Sequence, residues 1–198
     1  MTLYIAIPAA GSSSRMRGRD KLLEHVDGHA LLRRQVMAAA ATGQVLGVFL
    51  RNGDFHRREA LAGLEVPVHD VPDAEHGLSG SLRMAARVCG PDRDLMVLLP
   101  DVPGIGTTEI QTAIDLFNDH GCNRVVRATD PKGRPGTPII MPRRIIPTFE
   151  ALQGDTGARE ILRDEAIVPL VFPDDRATLD LDTPEDWADF RARNTLEK

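Results

Sequence analysis

Five stretches of this sequence concentrate residue types able to handle a phosphorylated substrate. The first, PAAGSSSRMRGRDK at 8–21, joins the apolar run LYIAI to LLEHVDGHALLRRQ. Successive backbone N–H groups around Gly11 and the three serines after it can form an anion-binding concavity, and Arg15 and Lys21 supply the charge a polyphosphate needs. A flexible surface loop is the plain alternative. The three-glycine dinucleotide fingerprint is missing, and the P-loop pattern fails on spacing and on Leu22 after Lys21. The second stretch, PDVPGI, sets Asp101 just past DLMVLL. A carboxylate there suits Mg2+ shared with phosphate oxygens, although an Asp that merely starts a proline turn would look the same.

In the third stretch, HGLSGSLRMAARVCG, Ser79 or Ser81 can cap a helix or turn its hydroxyl toward a base edge. The fourth, LDLDTPEDW, holds a good helix start, with Thr183 as the cap, Pro184 at the first helical position and Asp186 three residues on. Asp180 and Asp182 straddle Leu181 and point the same way from an extended segment, a costly face unless solvated or metal-bound. The fifth comprises KGRPGTP at 132–138 and GDTGAR at 154–159. Either is a plain turn or a loop that meets an anionic substrate, with Arg159 offering a charge-assisted contact.

The elements that must carry these loops follow from periodicity. Val/Ile/Leu-rich runs predict strands over 3–7, 45–50, 66–71, 94–100, 123–128, 138–141 and 167–172. Amphipathic spacing predicts helices over 30–42, 55–62, 79–89, 107–120, 143–152, 157–164 and 183–193, several ended by a glycine. Such alternation implies a mostly parallel sheet covered on both faces, in a single domain spanning 1–198. In sheets of this kind ligands bind beyond the carboxyl ends of the strands.

Composition narrows the function classes. At 198 residues, 42% hydrophobic and 27% charged, with a mean hydropathy of −0.20, the chain reads as neither disordered nor membrane-spanning. A net charge of −5 argues against a nucleic-acid partner. The opening MTLYIAIPAAG enters a strand pattern without a secretory signal, so a cytoplasmic location is expected. Cys89 and Cys122 have no metal or disulfide spacing and are expected to be free thiols. His25 and His29 span the turn signature Asp27-Gly28, and no nucleophile elbow is present. Lys21, Lys132 and Lys198 are the only lysines among 24 basic residues. Lys21 alone sits in an apparently structured loop.

Taken together, the loops resemble the MobA-like NTP transferases, and most closely the molybdenum cofactor cytidylyltransferases. The opening matches the family pattern at Ala9, Ala10, Gly11, Ser13, Arg15, Met16 and Lys21; Pro8 and Arg17 depart from it. GLSGSLR, DVP, GRPGTP, GDTGAR and LDTPEDW resemble its later motifs in family order. The resemblance implies a Rossmann-like three-layer α/β/α sandwich of the nucleotide-diphospho-sugar transferase type. It implies nucleotidyl transfer from an NTP to a small phosphorylated acceptor, with release of pyrophosphate. Ala9, Ala10, Gly11, Ser13, Arg15 and Lys21 would then cradle the nucleotide's phosphates, with Arg15, Lys21 and Asp101 carrying the catalysis. Asp101 and Asp182 would hold Mg2+, and Leu78, Ser79 and Ser81 would lie against base and ribose. Gly136, Pro138, Asp155 and Arg159 would face the acceptor. Ala10 is similar to the CTP-using members, which makes CTP and molybdopterin the expected substrates and a molybdenum enzyme the expected recipient. GTP in place of CTP, another phosphorylated acceptor, a non-catalytic cofactor chaperone and an NADP-dependent oxidoreductase are the alternatives.

Overall fold

The structure, a computed structural model, describes residues 2–153 and 161–196. In chain order its strands are β1 (Leu3–Ala9), β2 (His25–Val26), β3 (His29–Ala30), β4 (Val45–Arg51), β5 (Val68–Val71), β6 (Asp94–Val97), β7 (Val125–Thr129), β8 (Pro135–Met141) and β9 (Ile167–Val171). The α-helices are α1 (Leu31–Ala40), α2 (Phe55–Ala60), α3 (Leu78–Cys89), α4 (Thr107–Asp119) and α5 (Pro184–Leu196).

Seven strands form one sheet in the order β5-β4-β1-β6-β8-β7-β9. Every neighbouring pair is parallel except those of β8, which runs against both β6 and β7. β1 is buried along its whole length and divides its side chains by the period of two that a pleat imposes. Leu3, Ile5, Ile7 and Ala9 enter one core with Val36 and Ala39 of α1 and Ile110, Ala113 and Phe117 of α4. Tyr4 and Ala6 enter the opposite core with Leu82, Ala85 and Ala86 of α3 and with Ile145, Ile146 and Phe149. Two cores on two faces make the three-layer α/β/α sandwich.

Pro8 costs no ladder bond. Leu98 donates its N–H to the Ala6 carbonyl, and the pairing of β1 with β6 ends at Ala6 and Val97. Alternate residues of a parallel strand face the same neighbour, so the Pro8 nitrogen faces the β6 side, where pairing has already stopped.

Two expectations are refined. Residues 143–151 form 3-10 turns rather than an α-helix, because Pro147 inside the segment lacks the N–H a helix interior needs. Of the helix expected over 157–164, residues 157–160 lie outside the described residues. His25 and His29 lie on the two strands of the β2–β3 hairpin, whose turn residues Asp27 and Gly28 have φ of 53° and 82°. This is the mirror-image turn that short hairpins favour.

A third, smaller core lies beneath the opening loop. Met16 packs with Val26, Leu31, Leu181 and Trp187, all buried, with Leu179 and Phe190 against them. The 8–21 loop is thus anchored on the C-terminal helix. Trp187→Ala is expected to cost about 3–5 kcal/mol, as removal of a buried aromatic usually does, measured by urea unfolding followed by circular dichroism.

Candidate active site

Beyond the carboxyl ends of β1 and β6 lies a cavity of about 250 Å³. Ala9, Ala10, Gly11 and Lys21 form one wall; Leu78 and Ser81 of α3 contribute another; Leu99, Pro100 and Asp101 close it after β6. The cavity exists because β1 and β6 are paired neighbours whose following loops diverge.

At its edge four charges meet. Lys21 Nζ donates to Asp101 Oδ2 at 2.5 Å and to Asp182 Oδ1 at 2.6 Å, and Arg15 Nη2 pairs with Asp182 Oδ2 at 2.6 Å. Lys21, Asp101 and Asp182 are 17%, 18% and 12% exposed, whereas Arg15 stands 67% exposed. Burial alone would lower the lysine pKa, but Asp101 and Asp182 outweigh it and leave it raised. Burial likewise pushes the Asp182 carboxyl up, and Lys21, Asp180 and Arg15 together hold it below the ordinary carboxylate value. Asp180 is raised, first by burial and then by its hydrogen bond with Asp182. The two aspartates do face the same way, and their shared environment drives their titrations apart.

Asp101 Oδ1 is buried without a hydrogen-bond partner, although Oδ2 holds Lys21. An orphaned carboxylate oxygen beside a cleft retains capacity for a cation. Asp101 and Asp182 reach one and the same nitrogen, so both can reach one ion. Two carboxylates completed by phosphate oxygens are a donor set that Mg2+ or Mn2+ accepts. Among the described residues no group of three or more His, Cys, Asp and Glu side chains gathers to cage a metal by itself.

Not every residue singled out in the sequence reaches the cavity. Ser13 turns its hydroxyl onto Asp20 Oδ1 at 3.0 Å, in the left-handed conformation at φ 50°. Ser79 is fully buried and donates to the His76 carbonyl at 2.9 Å; it does not cap α3, whose cap position is Gly77 with no side-chain cap bond. Gly136 and Pro138 do not line the cavity. Gly136 instead packs against main chain, where a Cβ would stand 2.0 Å from the Ala177 carbonyl oxygen. Asp155 and Arg159 lie outside the described residues. Arg17 adopts φ 52°, a left-handed conformation that glycine takes most easily, and its side chain pairs with Glu185 at the surface.

Two further residues, not among the candidates named from the sequence, prove central. Arg57 on α2 is 2% exposed and donates to the carbonyls of Ala9 and Gly11, the Ser13 hydroxyl and both oxygens of Asp20. Only the buried placement of a basic residue beside Asp54, its helix cap, could have marked it. Thr137, also buried, accepts the Leu99 N–H at 3.0 Å, donates to the Val97 carbonyl at 3.4 Å, and gives its own N–H to the Ala177 carbonyl. It therefore knits the Asp101 loop to the segment that leads to Asp182. A further bond, from Leu181 N–H to the Asp101 carbonyl, fixes the spacing of the two aspartates.

The sequence of residues 5–169 matches the MobA-like NTP transferase domain. No curated protein matches the chain. Similar solved structures include Rv0371c from Mycobacterium tuberculosis H37Rv, at 23% identity and a TM-score of 0.81, covering 96% of this chain and 97% of that one. Its complex with manganese aligns at 22% identity and a TM-score of 0.77, covering 96% and 97%. A nucleotidyl transferase from Methanothermobacter, Mth528, aligns at 18% identity and a TM-score of 0.80, covering 100% and 99%. At these identities the likeness concerns the fold.

The joint around Thr137 and the Asp20–Arg57 pair are both open to measurement. Thr137→Val leaves the Leu99 N–H without its acceptor and is expected to cost about 1–3 kcal/mol in denaturant unfolding. Gly136→Ala is expected to cost about 1–3 kcal/mol through overpacking against Ala177. Burial raises the Asp20 carboxyl, but Arg57, the Leu22 N–H and Ser13 outweigh it and leave the pKa lowered. Its stabilisation is therefore present above about pH 4 and is lost as pH falls through the lowered folded value. Melting temperature against pH should show a shallower acid limb in Asp20→Asn than in the wild type.

Proposed function

Since the chain belongs to the MobA-like NTP transferase family, and is therefore a nucleotidyltransferase acting on a nucleoside triphosphate, we propose that it transfers CMP from CTP to molybdopterin, releasing pyrophosphate. The observation that carries this reading is the Lys21 bridge between Asp101 and Asp182 at the mouth of a cavity walled by Ala9–Gly11. Ala10 in the opening motif, similar to that of the CTP-using members, supports CTP.

In this reaction an oxygen of the acceptor's phosphate forms a bond to the α-phosphorus, and the bond from that phosphorus to the bridging oxygen breaks. Pyrophosphate carries the electron pair away. The acceptor phosphate is already ionised at neutral pH, so no side chain needs to remove a proton, and the lining of the cavity contains no histidine or cysteine. Catalysis then rests on positioning and on neutralising charge. Lys21 and Arg15 would turn from Asp182 toward the triphosphate, where a cationic donor meets the charge that builds as pyrophosphate departs. Leu78 and Ser81 would bound the base and ribose. Asp101 and Asp182 would hold a divalent cation, Mg2+ by proposal, which when bound neutralises phosphate oxygens and orients the triphosphate. Among the described residues no helix is long and apolar enough to cross a membrane, and a cytoplasmic enzyme serving a molybdenum enzyme fits this reading.

Thermal unfolding with CTP, GTP, ATP and UTP, each with and without Mg2+ or Mn2+, tests the nucleotide. A ligand at 100 times its dissociation constant adds about 2.7 kcal/mol. CTP with metal is expected to give the largest shift; a shift with GTP alone would keep the enzyme class and overturn the cytidylyl assignment. Pyrophosphate release with CTP, molybdopterin and Mg2+ is expected to stop on chelation and return when metal is restored. Lys21→Ala and Asp101→Ala should each lower turnover about a hundredfold or more. Near-wild-type rates in both would remove these residues from the mechanism.

A further inference from the structure

The Arg57 side chain donates five hydrogen bonds, and nothing in the proposed chemistry calls on it directly. Its guanidinium is almost wholly buried. Nη1 donates to the Ala9 carbonyl at 2.7 Å and to the Gly11 carbonyl at 2.8 Å; Nη2 donates to the Ser13 hydroxyl at 3.1 Å and Asp20 Oδ1 at 2.8 Å; Nε donates to Asp20 Oδ2 at 2.7 Å. A buried cation is costly unless fully paired, and this one is satisfied by two stretches on either side of the 14–19 turn.

The consequence for the loop follows from peptide geometry. In a trans peptide unit the C=O of one residue and the N–H of the next point in opposite directions. With the Ala9 and Gly11 carbonyls held toward Arg57, the Ala10 and Ser12 N–H groups must point away from it. Arg57 sits on α2, which follows β4, so away from Arg57 means toward the β6 side, where the cavity lies. A carbonyl facing an anionic ligand repels it, whereas an N–H binds it. Among the described residues no acceptor is recorded for the Gly11, Ser12 or Ser13 N–H groups. The guanidinium also spans Ser13, which is in a left-handed conformation that costs a non-glycine residue energy unless its surroundings hold it. Through Asp20 it fixes the residue just before Lys21, whose 3-10 turn starts with Asp20 accepting the Leu22 N–H.

We propose that Arg57 is the positioning residue of the phosphate loop: it withdraws the loop's carbonyls so that the Ala10 and Ser12 N–H groups face the nucleotide's phosphates. The proposal rests on the nucleotide reading of this site. It requires arginine in particular. Five donors in a planar fork reach five acceptors on two loop segments, which a lysine's single ammonium cannot do.

The test is a titration of the full chain with CTP and Mg2+, followed by amide NMR and calorimetry. In the wild type the Ala10 and Ser12 amide resonances are expected to move as nucleotide binds. In Arg57→Lys the dissociation constant is expected to rise about tenfold or more and the response of those two amides to shrink, while β4 and α4 resonances keep their wild-type positions. A merely structural role would lower the melting temperature without moving the affinity of the folded protein. Wild-type affinity in folded Arg57→Lys overturns the proposal, and so does nucleotide binding to the wild type that leaves both amides still. Should Arg57→Lys fail to fold, the wild-type amides alone decide. Failure of the nucleotide reading looks different: no nucleoside triphosphate then moves any resonance of the wild type.

Discussion

The site turns on one ammonium group between two carboxylates. Lys21 stands 80 residues from Asp101 and 161 from Asp182 in the chain, yet its nitrogen touches both. Two carboxylates held that close repel each other, and burial raises the cost of leaving either one unpaired. Lys21 offsets both penalties. Under the proposed function a metal and a triphosphate would take over the same duty, the cation at the carboxylates and the phosphates at the lysine.

The fold is arranged to bring those three residues together. β1 and β6 are paired and parallel, so the loops that follow them open on the same edge of the sheet. The reversed β8 lies beside β6, and Thr137 on it fastens the Asp101 loop from one side and the Ala177 main chain from the other. Met16 and Trp187 share a small buried core, which presses the opening loop onto the C-terminal helix carried just past Asp182. Each contact is ordinary on its own. Their common result is that the Asp101 and Asp182 segments are both held within reach of the Lys21 ammonium group.

Several motif residues hold structural posts rather than positions in the cavity. Ser13 and Ser79 spend their hydroxyls on Asp20 and on the His76 carbonyl, and Gly136 permits a backbone contact that a side chain would block. A motif records which residue types a local geometry needs, and a tight packing joint is as demanding as a ligand contact.

The strands, the helix starts and the α/β/α class were legible in the residue pattern because hydrophobic periodicity and capping are local. Thr183 and Asp186 exchange the hydrogen bonds their spacing implies, and β1 alternates between two cores as its pattern requires. Lys21, Asp101 and Asp182 were nameable from loop position and family resemblance. Their mutual contact was not legible, since it depends on which strands become neighbours, and strand order is a property of the whole sheet. The roles of Arg57 and of Thr137, which sits in the GRPGTP stretch, were not legible for the same reason. Sequence spacing conveys direction along a strand or helix, whereas burying a guanidinium against carbonyls 46 and 48 residues away is decided only when the β4 and β1 segments lie side by side.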